Sequence, residues 1–213
     1  MSVRTERARA LRAQRVRRMW ASAFNLPNQL TGLRLVLAVI MFGLIATEHY
    51  LASMVLFVIA AGTDWLDGYF ARKYQQITTL GRILDPFADK VIVCGTFIFL
   101  LAVPEMLSTP WGLRPWMVVV IVGRELLVTA LRSFIEDQGS DFSAKWSGKL
   151  KMVLQCVAAP VCLWYLDYTM AKSEPPAWVW GLLVVSIWSS VILTVYSGLV
   201  YIVAAARLLR SSR

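Results

Sequence analysis

DWLDGYFARKYQQITTLGRILDPFAD, residues 64–89, sets four aspartates at the facing ends of two long apolar runs. Charges inside apolar spans are costly, so each needs a reason. Asp64 and Asp67 stand three apart, and Asp85 and Asp89 stand four apart. At about 3.6 residues per turn, both spacings put a pair on one helix face. A short turn around Tyr74–Thr78 makes the two helices antiparallel neighbours, and all four carboxylates then converge at one depth.

Four bare anions cannot share a low-dielectric site, so some are protonated or cations neutralise them. Oxygen-only donors favour hard ions such as Mg²⁺, Mn²⁺ or Ca²⁺ over zinc. A carboxylate-rich site with room for phosphate oxygens is the usual Mg²⁺ arrangement in phosphoryl transfer. Gly68 and Ala71 continue the face that bears Asp64 and Asp67, and Gly81 lies one turn before Asp85. Small side chains there let a bulky substrate approach the backbone. They equally suit tight helix packing, which leaves the aspartates unexplained.

The rest of the chain supplies the solvent for this cluster. Of 213 residues, 58% are hydrophobic and 16% charged. A soluble domain carries about 45–50% and about 25% respectively. The excess apolar surface calls for a bilayer. Six apolar runs lie at roughly 28–47, 50–74, 78–103, 113–134, 147–167 and 177–206. Each is near or above the ~20 residues that cross the hydrocarbon, and none alternates as a barrel strand would. The expected fold is an all-α integral membrane protein. A basic surface helix at 1–24 precedes a six-helix membrane domain at 25–213. The last run is long for one crossing, so it tilts or protrudes.

Charge orients this layout. Six spans put both termini on one side, together with Arg72, Lys73, Arg82, Arg132, Lys145, Lys149, Lys151, Arg207, Arg210 and Arg213. The other side keeps Arg114 and Lys172. The positive-inside rule then places the termini and the acidic cluster at the cytoplasmic face; the expected location is a bacterial-type inner membrane, with an organellar membrane as the alternative. Trp111, Trp116, Trp178 and Trp180 fall at span ends, as an interfacial belt requires.

Seven arginines crowd the first 18 residues. Nucleic-acid binding is one reading of such a run. Anionic headgroups are the better partner, because apolar segments follow at once, and a nucleic-acid binder leaves the buried acids unexplained. An organellar transit peptide also fits an arginine-rich start, whereas a cleaved secretory signal does not. Cys94, Cys156 and Cys162 sit in apolar runs with no metal spacing and read as small buried hydrophobes.

Asp64-x2-Asp67-Gly68-x2-Ala71-Arg72-x8-Gly81-x3-Asp85-x3-Asp89 fixes eight residues over 26 positions. This pattern resembles the signature of the CDP-alcohol phosphatidyltransferases at every specified position, and the six spans are similar to that family's architecture. The resemblance implies a metal site of Asp64, Asp67, Asp85 and Asp89, holding two Mg²⁺ or Mn²⁺ ions, with Asp89 as general base. It further implies that Gly68, Ala71, Arg72, Thr78 and Gly81 contact the CDP-lipid, and that the enzyme is a homodimer. Arg72 without the motif reads as a snorkelling arginine at a span end. Asn28 and Thr31 have two readings, as caps of the first helix or as contacts to the CDP-lipid headgroup that the resemblance implies.

Three further segments bear on the acceptor. Asn25–Thr31 preceding Arg34, Gly123–Arg132, and Gly148–Lys151 resemble those of family members that transfer to glycerol 3-phosphate and make phosphatidylglycerophosphate. Leu84–Lys90 does so too. The donor implied is CDP-diacylglycerol. Residue chemistry agrees with a phosphorylated acceptor. Arg124 and Arg132 are eight apart, about 80° in azimuth on one helix, and Lys149 and Lys151 lie at the same level. A dianionic phosphate suits such a cluster. The competing readings are an Arg124–Glu125 ion pair and simple topology for the two lysines. Relatives using inositol phosphate, serine or phosphatidylglycerol remain as alternatives. So does a divalent-cation transporter, although its site would be expected near the midplane.

Overall fold

The protein is described by a computed structural model that covers residues 26–74, 81–137, 146–171 and 174–211. The basic segment 1–24 and Thr78 lie outside the described residues. Every regular element among the described residues is helical: α1 Leu26–Ala46, α2 Tyr50–Tyr74, α3 Gly81–Leu101, α4 Pro104–Ser108, α5 Pro115–Asp137, α6 Trp146–Met170 and α7 Ala177–Ser211.

Length and composition make three of these able to cross a membrane: Asn28–Ala46 in α1, Gly148–Met170 in α6 and Ala177–Arg207 in α7. Helices α2, α3 and α5 are also 21–25 residues long. They carry every acidic residue of the candidate site, and in α2 the apolar stretch is Tyr50–Thr63. The bundle turns apolar side chains outward: Val39, Val119 and Val185 are 68%, 70% and 66% exposed. A soluble monomer does not display such faces on helix after helix.

Packing departs from the expected neighbourhood of the second and third spans. Helix α1 lies against both α2 and α3, whereas α2 and α3 meet each other only sparsely. Close approach of α1 to α3 is made possible by Gly95. A Cβ there would fall 2.3 Å from the Phe42 ring, which stacks on Phe99 at 4.7 Å between centroids. Helix α6 packs on α7 and α2, and α5 leans on α7. The main core runs through Met41, Phe57, Phe97, Leu100, Met117 and Leu163. A smaller cluster of Val128, Ile135, Tyr201 and Ala205 joins α5 to α7.

The five-residue α4 has no counterpart in the sequence reading. Pro104 opens it, where a missing amide is harmless. Beyond it the chain turns through Trp111, whose φ of 58° lies in the left-handed region. Trp180 and Trp188 donate their indole N–H groups to the carbonyls of Pro110 (3.2 Å) and Trp111 (3.1 Å). These bonds tie α7 to the turn before α5.

Candidate active site

Two rows of side chains face each other across α1 and α3. On α1, Thr31 and Arg34 are three apart; on α3, Asp85 and Asp89 are four apart. The Thr31 hydroxyl donates to the Asp85 carboxylate. The Arg34 guanidinium donates to Asp89 Oδ1 at 3.1 Å, with the arginine 1% and the aspartate 27% exposed. A buried charge needs a partner of opposite sign with good hydrogen-bond geometry, and here each side supplies one. Asn28 is buried one turn before Thr31. Because α1 starts at Leu26, Asn28 and Thr31 lie inside the helix. The hydroxyl of Thr31 serves Asp85 rather than the helix end, so the capping reading of Thr31 is replaced.

Asp64, Asp67, Gly68, Ala71 and Arg72 occupy the C-terminal half of α2, and Gly81 opens α3. Their side chains are outside the described residues, and among the described residues no three His, Cys, Asp or Glu gather as a metal-sized group. The fit to a metal therefore rests on donor chemistry. Asp85 and Asp89 present hard oxygen donors on one helix face, half-buried, with no thiol or imidazole beside them, which suits Mg²⁺ or Mn²⁺.

A second polar cluster is assembled by α5, α6 and α7. Glu125 Oε1 accepts from Arg124 at 3.2 Å and from the Lys151 ammonium. Lys151, itself buried, also donates to Gln155 Oε1 at 3.2 Å. The Gln155 amide donates in turn to Thr194 Oγ1 at 3.1 Å. Arg124 donates to Ser197 and lies 5.4 Å above the Tyr201 ring. Arg132 reaches the Tyr201 hydroxyl at 3.4 Å. Glycines make room: a Cβ on Gly198 would sit 3.2 Å from Arg124 Cγ, and one on Gly148 would sit 3.1 Å from the Tyr201 hydroxyl.

Arg124, Arg132 and Lys151 thus share a cluster, while Lys149 points to the exposed side. Glu125 bonds Arg124 and Lys151 and is the one carboxylate bonded to any of the three cations among the described residues. Among those residues two positive charges are left over. Moreover, the Nε atoms of Arg124 and Arg132 are buried with no hydrogen-bond acceptor among the described residues. A buried donor left unmade is expensive, and an anion with several oxygens would relieve both. Lys90 donates to Thr129 at 2.5 Å, joining α3 beside Asp89 to α5 between Arg124 and Arg132.

The sequence reading assigned no role to Arg34, Ser197 or Tyr201. An arginine within an apolar run is itself a signal, and it would have found Arg34. Nothing local marks Ser197 or Tyr201.

An apolar helical bundle that holds two carboxylates of α3 against α1, and a cationic cluster among α5, α6 and α7, has the makings of a membrane enzyme of phosphate chemistry. The chain belongs to the CDP-alcohol phosphatidyltransferase family, whose model matches residues 24–204, and is an enzyme of that class. It is similar to the CDP-diacylglycerol–glycerol-3-phosphate 3-phosphatidyltransferase of Bacillus subtilis (strain 168), with 34% identity over 84% of this chain and 93% of the relative. The proteins of the same name from Escherichia coli (strain K12) and Shigella flexneri serotype 5b (strain 8401) are each 34% identical over 85% of this chain and 95% of their own length.

Proposed function

We propose that the protein transfers the phosphatidyl group of CDP-diacylglycerol to glycerol 3-phosphate, giving phosphatidylglycerophosphate and CMP. The carrying observation is the pair of buried arginine Nε donors in a cluster that, among the described residues, has two surplus positive charges. A phosphate monoester meets that demand with two charges and three oxygens, whereas serine brings a single carboxylate whose charge its own ammonium offsets. The names of the bacterial relatives support the same acceptor.

Asp64, Asp67, Asp85 and Asp89 would hold Mg²⁺ or Mn²⁺, two ions per site, in a family known to need a divalent metal. Such ions supply charge neutralisation to a diphosphate. The chain's own residues do the rest. Asn28, Thr31, Gly68, Ala71, Arg72, Thr78 and Gly81 bind and orient the CDP-lipid. Arg124, Arg132 and Lys151 grip the acceptor's phosphate; Lys149, exposed, contributes long-range attraction. Asp89 takes the proton from the acceptor hydroxyl. The oxygen so freed bonds to the lipid-side phosphorus, the phosphorus–oxygen bond to CMP breaks, and CMP carries away the electron pair. Arg34 keeps the Asp89 carboxylate aimed.

The same reading gives the enzyme six crossings, with α2, α3 and α5 added to the three most apolar helices. It sits in a bacterial inner membrane as a homodimer, with termini and site cytoplasmic, and residues 1–24 lie on the lipid surface. Purified protein assayed for CMP release with CDP-diacylglycerol and a panel of acceptors tests the proposal. Glycerol 3-phosphate should be preferred over inositol phosphate, serine and phosphatidylglycerol. Turnover with another acceptor alone overturns it.

A further inference from the structure

We propose that Tyr201 on α7 is a positioning residue for the acceptor's phosphate, holding Arg124 and Arg132 where both guanidinium groups can grip one phosphate monoester. The inference rests on the acceptor reading above and deepens it, since it assigns the choice of phosphorylated over neutral acceptors to a helix outside the signature.

Tyr201 is 1% exposed and fixed at both ends. Its ring lies beneath Arg124, 5.4 Å from Cζ, within the roughly 6 Å over which a cation is attracted to an aromatic face. Its hydroxyl accepts from Arg132 at 3.4 Å. The body of the residue is clamped among Val128, Ile135 and Ala205. On the far side stands the α6 backbone, where a Cβ at Gly148 would come within 3.1 Å of the hydroxyl and 3.7 Å of the Arg124 guanidinium. One tyrosine therefore sets the places of two arginines that are eight residues apart on α5.

Ser197, one turn earlier on the same face of α7, accepts from Arg124. Glu125 accepts from it too, at 3.2 Å. With these bonds made, the Nε donors of both arginines are still without an acceptor among the described residues. Buried, paired guanidinium donors favour an anion that offers several oxygens at once. A phosphate monoester dianion does so, and an alcohol lacking phosphate leaves both donors unmet.

Tyr201→Phe keeps the ring and the core contacts and deletes only the hydroxyl. Its KM for glycerol 3-phosphate should rise about tenfold, the effect of one lost hydrogen bond to a charged group. The kcat, the KM for CDP-diacylglycerol and the melting temperature should hold. Competitive inhibition by inorganic phosphate should weaken by the same factor. Gly148→Ala, which crowds the hydroxyl without removing it, should shift KM in the same direction.

An unchanged KM and unchanged phosphate inhibition in Tyr201→Phe overturns the inference. So does a general loss in which kcat, both KM values and melting temperature worsen together, because that is a structural role. The acceptor reading fails separately. If the wild type uses a different phosphorylated acceptor and Tyr201→Phe still weakens phosphate inhibition, the positioning role stands with a new substrate. If the wild type uses only an unphosphorylated acceptor and inorganic phosphate does not inhibit, both fall.

Discussion

Arg34 on α1 and Asp89 on α3 form an ion pair of 3.1 Å in which the arginine has almost no exposure and the aspartate is about a quarter open. The openness is on the carboxylate, where the proposed base would meet substrate, and the enclosure is on the partner that orients it. Replacing Arg34 with Met leaves a half-buried carboxylate without this bond. Removing one partner of a fully buried pair costs about 3–5 kcal/mol; the opening around Asp89 should bring the loss toward the low end of that range. Thermal unfolding in detergent measures it. Arg34→Lys, which keeps the charge and loses the fork, should recover much of the stability and less of the activity.

Asp89→Asn should lower CMP release by about 10²- to 10⁴-fold, the usual contribution of a positioned general base. Thr31→Val should be milder, since it removes one hydrogen bond to Asp85, a loss of roughly 1–3 kcal/mol. Near-normal turnover in Asp89→Asn would remove this residue from the role of base.

Removing divalent cations with a chelator should abolish turnover, and Mg²⁺ or Mn²⁺ should restore it. Zinc should restore less, because the donors available are carboxylates and not thiolates or imidazoles. Activity that persists in excess chelator would exclude a metal role for the four aspartates.

Glu125 and Lys151 should behave as a coupled pair. Each of Glu125→Gln and Lys151→Met strands a partner in the α5–α6–α7 cluster. Each single change should destabilise by about 3 kcal/mol, and the double variant by clearly less than the sum. Melting temperatures of the four proteins give the coupling. By contrast Lys149→Ala, at an exposed position, should leave stability unchanged.

What could be read in advance was local. The faces of Asp85/Asp89 and of Arg124/Arg132 follow from helical pitch, and the helices fall close to the apolar runs that marked them. Long-range partners could not be read this way. Arg34 and Asp89 are 55 residues apart, and Arg124 and Ser197 are 73 apart, so no periodicity links them. Lys149 and Lys151 looked equivalent in sequence, yet two residues turn a helix by about 200°. One faces out and the other is buried. The neighbourhood of α2 and α3 was inferred from a short connection; the placement of α1 against both of them was not. Helix α4, five residues long, is too short to show a period at all.

Helix α7 meets the turn before α5 at Trp180 and the cationic cluster at Tyr201. These two points are about 32 Å apart at 1.5 Å per residue, and no proline interrupts the rod between them. Along that length it runs as one unbroken α-helix. On the proposed function, a shift imposed on its tryptophan end, by a thinner bilayer or a loosened turn, would be handed on as axial displacement to the tyrosine that spaces the two arginines. Membrane thickness and acceptor affinity would then be mechanically coupled in one lever.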